Sequence, residues 1–277
     1  MFEIKSRGYK IFFWTTLILL GIFIFFPMFW MLITSLKTRE EIFVFTLFPR
    51  NITIENYINV IQDPVIMRYF LNSLFVSFIC SIVSTIVSTI TAYSISKFRY
   101  RGRKVLLSFI LLSRVFPHVV LLLTIYSMMR TFKLTGSYLS LILSFVTFTL
   151  PVGTWTLKSY IDQLPDSIIE SAKIDGASNF RIMRSILLPL IVPGLISTAI
   201  YGFVWSWNDI LYSLTLVTSA EMRMLSSGLI LRYTGEFQNN WGGMMAASVI
   251  VSIPVTLIFI FLQRYFIAGM TSGAVKG

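Results

Sequence analysis

The chain is 277 residues long, 56% hydrophobic and only 13% charged, against roughly 45–50% apolar and about 25% charged in soluble domains. Combined with long uncharged runs, this excludes an ordinary soluble globule and predicts an all-α polytopic membrane protein. The net charge of +11 does not mark a nucleic-acid binder, because the basic residues gather in particular loops, as the positive-inside rule expects. One cysteine and one histidine exclude an internal disulfide and a His/Cys metal cluster; Cys80, in an apolar run, reads as a small packed hydrophobe.

Lys5, Arg7 and Lys10 precede an uncharged apolar run over 11–33. It is longer than the 7–15 residues of a signal-peptide core and lacks a small-residue cleavage site. It is therefore read as an uncleaved first span entering from the cytoplasm. Residues 34–70, with Lys37, Arg39, Glu40, Glu41 and Asp63, form an external loop with a short surface helix. The second span, 71–96, carries Ser77, Ser81, Ser84, Thr85, Ser88 and Thr89, small residues that favour close helix packing in lipid over a substrate path. The basic run KFRYRGRK over 97–104 fixes that end as cytoplasmic. In the third span, 105–128, Arg114 and His118 lie four apart, predicting one helix face, with Pro117 between them. They either line a translocation path or gate, or Arg114 is satisfied by a carboxylate or by a carbonyl freed at the proline. The fourth span, 138–157, contains Pro151 and Gly153, with Trp155 as an interfacial anchor near its inner end.

The segment 158–189 holds Asp166, Glu170, Lys173, Asp175, Arg181 and Arg184. Each such charge costs about 2.5–3.5 kcal/mol in hydrocarbon, so the segment faces water. Ser167 with Glu170 reads as a capping box opening a helix over 168–174, and Asp175-Gly176 supplies a turn. Ser178 caps a second helix with Phe180, Met183 and Leu187 on one face and Arg181, Arg184 and Ser185 away from it. A helix–turn–helix of this kind suits a groove on a soluble partner. The fifth span, 190–212, ends near Trp207-Asn208-Asp209, an aromatic beside polar groups that either contacts a sugar or anchors the span at the interface. An external segment, 213–243, has the polar tip GEFQNNWGG, and the sixth span, 244–262, contains Pro254. Lys97, Arg99, Arg101, Arg103, Lys104, Lys158, Lys173, Arg181 and Arg184, with the terminal cations, outweigh the cations of the other loops, placing both termini in the cytoplasm.

Glu170-Ser171-Ala172, Asp175-Gly176-Ala177, Phe180, Ile186, Leu188-Pro189 and Pro193 resemble the EAA loop of ATP-binding-cassette (ABC) importer permeases, with Ser171 where alanine is usual. Pro27 to Lys37, Tyr93 to Lys104, Trp207-Asn208-Asp209 and Gly269 to Gly277 resemble the carbohydrate-importer branch, in particular its maltose-type second permease subunit. The resemblance implies a single permease domain over 1–277, in a prokaryotic cell membrane, importing a di- or oligosaccharide. It assigns ATPase coupling to Glu170, Ser171, Ala172, Asp175, Gly176, Ala177 and Phe180. It makes Arg114, His118, Trp207, Asn208 and Asp209 candidates for the translocation path. Tyr233, Gln238, Asn239, Asn240 and Trp241 become candidates for contact with an extracytoplasmic sugar-binding protein, and Gly273 to Gly277 a tail against the ATPases. The implied partners are a second homologous permease, two ATPase subunits and lipid. No cofactor is expected in this chain, with ATP and Mg on the partner ATPase, and no Walker pattern occurs in the sequence. The competing readings are an importer of another cargo such as a glycerol phosphoester, and an ion-driven transporter, for which Asp209 is the sole intramembrane carboxylate. An intramembrane enzyme would need a catalytic constellation that Arg114 and His118 do not make.

Overall fold

The computed structural model describes residues 7–44, 46–234 and 240–271, with side chains described as far as 263. Among them the chain is helical: α1 Arg7–Ser35, α2 Glu55–Gln62, α3 Pro64–Lys97, α4 Arg103–Leu112, α5 His118–Thr131, α6 Tyr138–Asp162 and α7 Asp166–Ile174. There follow α8 Asn179–Ile182, a π turn Met183–Leu187, α9 Leu188–Leu190, α10 Val192–Trp207, α11 Leu211–Leu216, α12 Leu225–Tyr233 and α13 Trp241–Thr271. Four stretches are long and apolar enough to cross a membrane: α1, α3, α6 and Trp241–Gln263 of α13. Asn179–Leu190 and Val192–Trp207 are long and apolar enough only when taken together, and an 82° bend separates them.

The sequence predicts one continuous helix over 105–128, and the structure breaks it. Pro117, with ψ 130°, leaves the helical region just before α5, because proline has no N–H to donate and pushes Phe116 toward extended backbone. The end of α4 tightens into i→i−3 bonds, Arg114 N to Leu111 O at 3.1 Å and Val115 N to Leu112 O at 3.0 Å. Arg114 therefore sits in a turn and His118 opens a new helix, so the two do not share a helix face. The expected fifth span is likewise interrupted between Trp207 and Leu211.

Contacts divide the chain into two units. In the unit made by Met67–Gly228 and Pro254–Gly277, α3 turns a stripe of small residues inward: Ser73, Ser77, Cys80, Ser81, Ser84 and Ser88 are buried. Gly202 of α10 faces Ser84 and Ser81, and Gly153 of α6 faces Ser88 and Thr198. Ser81 Oγ donates to Ala199 O at 2.6 Å. The packing reading of the serine-rich span is the one the geometry supports, since without a hydrophobic drive in lipid, helices associate where small residues let backbones approach. The opposite side of α3, with Phe75, Phe78, Ile82, Ile86 and Ile90, stays exposed.

The unit made by Met1–Ile66 and Leu229–Ile253 is tied by polar contacts. Lys37, expected in the solvated external loop, is 2% exposed; its Nζ donates to Thr46 O at 2.5 Å and lies 5.1 Å from the Trp30 ring. Arg232 donates twice to Asp63 Oδ2, at 2.8 and 3.2 Å, and Asp63 Oδ1 accepts from Val65 N at 2.9 Å. Burial pushes the Asp63 carboxyl up, but Arg232 and the backbone N–H groups outweigh it and hold the group below its usual range. A depressed folded-state pKa contributes stability above the unfolded value and loses it as pH falls through the folded one. Asp63→Asn is expected to lower stability by about 1 kcal/mol at neutral pH, since Arg232 is half exposed. Thermal denaturation across acidic pH should show that difference from wild type shrinking as Asp63 protonates; a difference independent of pH would contradict the assignment.

Candidate functional site

The water-facing loop folds as helix, turn and helix, as its sequence predicts, but starts differently. Pro165, at φ −56° and ψ 134°, precedes α7, and no side chain caps it. Ser167 lies inside the helix rather than at its cap, so the capping box does not form; the proline sets the start instead. Glu170 is thereby left exposed, and makes no hydrogen bond or ion pair among the described residues. At the other end Gly176 takes φ +79°. Ala177 N donates to Ala172 O at 2.9 Å and Gly176 N to Lys173 O at 3.0 Å, the paired bonds of a Schellman motif. Ser178 Oγ accepts from Arg181 N at 3.3 Å and caps α8 as expected.

Ile169, Ala172 and Ile182 are buried against one another. Leu187, with Met183 against it, packs beside Ala92, Tyr93, Leu157 and Ile161 of α3 and α6. Phe180, expected on one face with Met183 and Leu187, is 65% exposed while Leu187 is buried, so the three do not share a face. The π turn over Met183–Leu187 shifts the register, so Ile182 and Leu187, five apart, take the inward positions. Ile174 is 86% and Phe180 65% exposed, on a stretch that also exposes Glu170, Ser171, Lys173, Asp175 and Arg181. Apolar side chains held out on a water-facing charged loop mark an interaction surface.

One contact escapes the sequence reading. Lys97 Nζ, at the end of α3, donates to Asp166 Oδ1 at 2.7 Å and to Leu164 O at 3.1 Å. The Lys97 side chain is only 9% exposed. Its ammonium holds the Asp166 carboxyl below its usual range. The pair pins the first turn of α7 to α3, and Asp166 also suits the positive end of the α7 dipole. Lys97→Met is expected to leave the fold intact but free the loop from the spans. Trypsin cleavage at Lys173 and Arg181 should accelerate severalfold; unchanged cleavage would mean the pair does not restrain the loop.

Within the spans, His118 comes together with aromatics rather than with Arg114. Its ring lies 5.0 Å from Phe148 and 5.8 Å from Trp205, and Phe148 stacks on Trp205 at 5.2 Å. Tyr212 Oη donates to His118 O at 2.7 Å and its ring sits 5.1 Å from Phe148. His118 itself is exposed. Arg114 is also exposed, with Nη2 donating to Tyr201 Oη at 3.1 Å; of the two alternatives the sequence left open, the one pairing it with a carboxylate or a carbonyl is not met among the described residues. Trp207 is 1% exposed, between Phe70 and Phe203, so its ring is core in this structure. Asn208 is exposed, donating to Val204 O at 2.8 Å. Asp209, one residue before the Ile210 N-cap, accepts from Ser213 N at 2.9 Å and Tyr212 N at 3.5 Å, two first-turn N–H groups of α11. Sequence reasoning missed Tyr201, Trp205 and Phe148; the spacing of Tyr201 and Trp205, four apart on α10, was the available signal.

Of the polar tip read as external, Tyr233, Asn240 and Trp241 are described, while Gln238 and Asn239 lie outside the described residues, as do Gly273 to Gly277. Asn240 N donates to Tyr233 O at 3.3 Å and Asn240 Oδ1 accepts from Gly243 N at 3.0 Å, closing the stem. Burial, with the Asp63 carboxylate nearby, pushes the Tyr233 phenol up to about 12. Asn240 and Trp241 are exposed. Among the described residues no group of His, Cys, Asp and Glu could hold a metal.

Known proteins share this architecture. Residues 84–272 match the family described as binding-protein-dependent transport system inner membrane component. The chain is 32% identical to the trehalose/maltose transport system permease protein MalG of Thermococcus litoralis, over 94% of each. It is 34% identical to the inner membrane ABC transporter permease protein YcjP of Escherichia coli, over 97% of each. A chain from the crystal structure of a bacterial ABC transporter importing the acidic polysaccharide alginate shares the fold, with a TM-score of 0.84 at 22% identity, over 96% of this chain and 100% of that one. The chain belongs to the family of binding-protein-dependent transport system inner membrane components, the multi-pass permease subunits of ABC importers, whose ATP is hydrolysed by separate subunits.

Proposed function

We propose that this chain is one half of a heterodimeric permease importing a di- or oligosaccharide across a prokaryotic cell membrane. In this reading 1–277 is a single permease domain with six passes and both termini cytoplasmic; the broken α4 and α5 together make the third pass. Two ATPase subunits carry ATP and Mg, and dock on the surface formed by Glu170, Ser171, Ala172, Asp175, Gly176, Ala177 and Phe180. A binding protein delivers cargo near Tyr233, Gln238, Asn239, Asn240 and Trp241. The observation that carries the reading is the exposed surface of the loop: Glu170, without a partner among the described residues, and the exposed Ile174 and Phe180, on either side of a turn fixed by Gly176. ATP binding would move that loop as a rigid body and switch the paired permeases between inward- and outward-facing states.

The sugar reading draws on the relatives, whose names include trehalose/maltose in Thermococcus litoralis and trehalose in Mycobacterium tuberculosis. The exposed His118, set against Trp205 and the buried Phe148, suits the edge of a sugar site, which aromatic rings and nearby polar groups can hold. A glycerol phosphoester remains the second cargo, favoured by the exposed Arg114 guanidinium. The test is ATPase activity of the complex, reconstituted with its binding protein and challenged with maltose, trehalose, longer glucans and glycerol phosphate. Stimulation by a sugar is expected; stimulation by glycerol phosphate alone would overturn the sugar assignment. Transport by this chain without any ATPase would overturn the importer reading and favour an ion-driven one.

A further inference from the structure

Where the ends of α3, α4 and α6 converge, a cavity of about 440 Å³ brings together Ser96, Arg103, Lys104, Trp155, Lys158 and Asp162. We propose that it binds the phosphate headgroup of an anionic phospholipid from the cytoplasmic leaflet. Three cations meet one carboxylate, and that carboxylate is already paired with Lys158. Arg103 uses one N–H on Phe98 O at 3.3 Å, leaving most of its donor fork available to a phosphate. Lys104 is exposed, and no described residue pairs with it. Ser96 Oγ is buried without a hydrogen-bond partner, a donor lacking its acceptor.

The apolar surroundings favour a lipid over a soluble anion. Ile95 and Leu107 complete the lining, and the cavity adjoins an α4 surface on which Val105 is 71% and Phe109 72% exposed. Trp155, 52% exposed at the cavity, is the amphipathic ring found at headgroup level. A phosphodiester between the cations, with its acyl chains along α4, would satisfy both sets of groups. The basic run over 97–104 that fixes topology would then also recruit a specific lipid, attracted by the negative potential of that leaflet. The inference goes beyond the cargo reading and does not depend on it, because its readout needs neither cargo nor ATPase.

Native mass spectrometry of the full-length chain, titrated in detergent with phosphatidylglycerol or phosphatidylcholine, tests it. Wild type is expected to retain phosphatidylglycerol preferentially. Lys104→Gln should weaken that retention roughly fivefold, and Arg103→Gln with Lys104→Gln further, from the attraction each cation adds at a lipid surface. Lys104→Arg, which keeps the charge, and Arg130→Gln, outside the cavity, should retain the lipid like wild type. Equal retention of the two lipids, or Lys104→Gln behaving as wild type, would overturn the proposal. So would displacement of the lipid by soluble glycerol phosphate, which would reassign the cavity to a water-soluble ligand.

Discussion

Cargo-stimulated ATP hydrolysis is expected to fall to its basal rate when Gly176 becomes valine. The residue has φ +79°, and a Cβ there would meet nothing within 4 Å, so the effect comes from the backbone alone. The left-handed conformation costs an ordinary residue about 1–2 kcal/mol, and a β-branched one is a genuine outlier there. Valine would undo the paired turn bonds from Ala177 and Gly176, and with them the angle at which α7 meets α8. Asparagine visits this region far more readily, so activity should rank Gly176, then Asn, then Ala, then Val. Glu170→Ala is the complementary change. Having no partner among the described residues, Glu170 should contribute little to folding, yet losing it from the proposed docked charge pair would cost about 2 kcal/mol or more, roughly 30-fold in affinity. Both variants should assemble and remain in the membrane. Wild-type stimulation in Gly176→Val would remove the turn from the coupling account.

Gly153→Leu should be the most damaging substitution within the spans. A Cβ at this position would fall 2.5 Å from Ser88 Oγ and 2.7 Å from Thr198 Cγ2, well inside contact distance, and leucine adds three further carbons. Overpacking a dense core costs typically 1–3 kcal/mol, and here α3, α6 and α10 would all have to part. The expected result is a lower thermal midpoint and less protein recovered from the membrane. Gly153→Ala alone should already be harmful, and Ser88→Gly should partly restore it by removing the Oγ. If Gly153→Ala proves silent by itself, the close approach of these helices is not holding the unit together.

What the sequence showed well was local. The turn at Asp175-Gly176 and the cap at Ser178 depend on a few neighbouring residues, and both form as read. Long apolar runs likewise announced α1, α3, α6 and α13. The broken third span was harder, because Pro117 between two apolar stretches is as compatible with a kinked helix as with a broken one. Choosing among aromatics failed for a geometric reason. Trp205 and Trp207 are two apart, hence on nearly opposite sides of a helix; only packing shows that Trp207 turns into the core while Trp205 joins His118. Lys97 and Asp166 are 69 residues apart, and no periodicity connects them. Phe180 was misplaced because a π turn changes the register that a 3.6-residue repeat assumes.

The central claim is that the loop from Asp166 to Leu190 is where this permease meets its ATPases. The chain has one native cysteine, and Cys80 is fully buried, so a cysteine introduced at Ile174 would be the accessible thiol. A short bifunctional cross-linker applied to the assembled complex should join Ile174→Cys to an ATPase subunit, with a yield that changes when ATP is added. A cysteine at the exposed Phe109 of α4 should not join. An Ile174→Cys complex that assembles but yields no ATPase adduct, with or without nucleotide, would contradict the account.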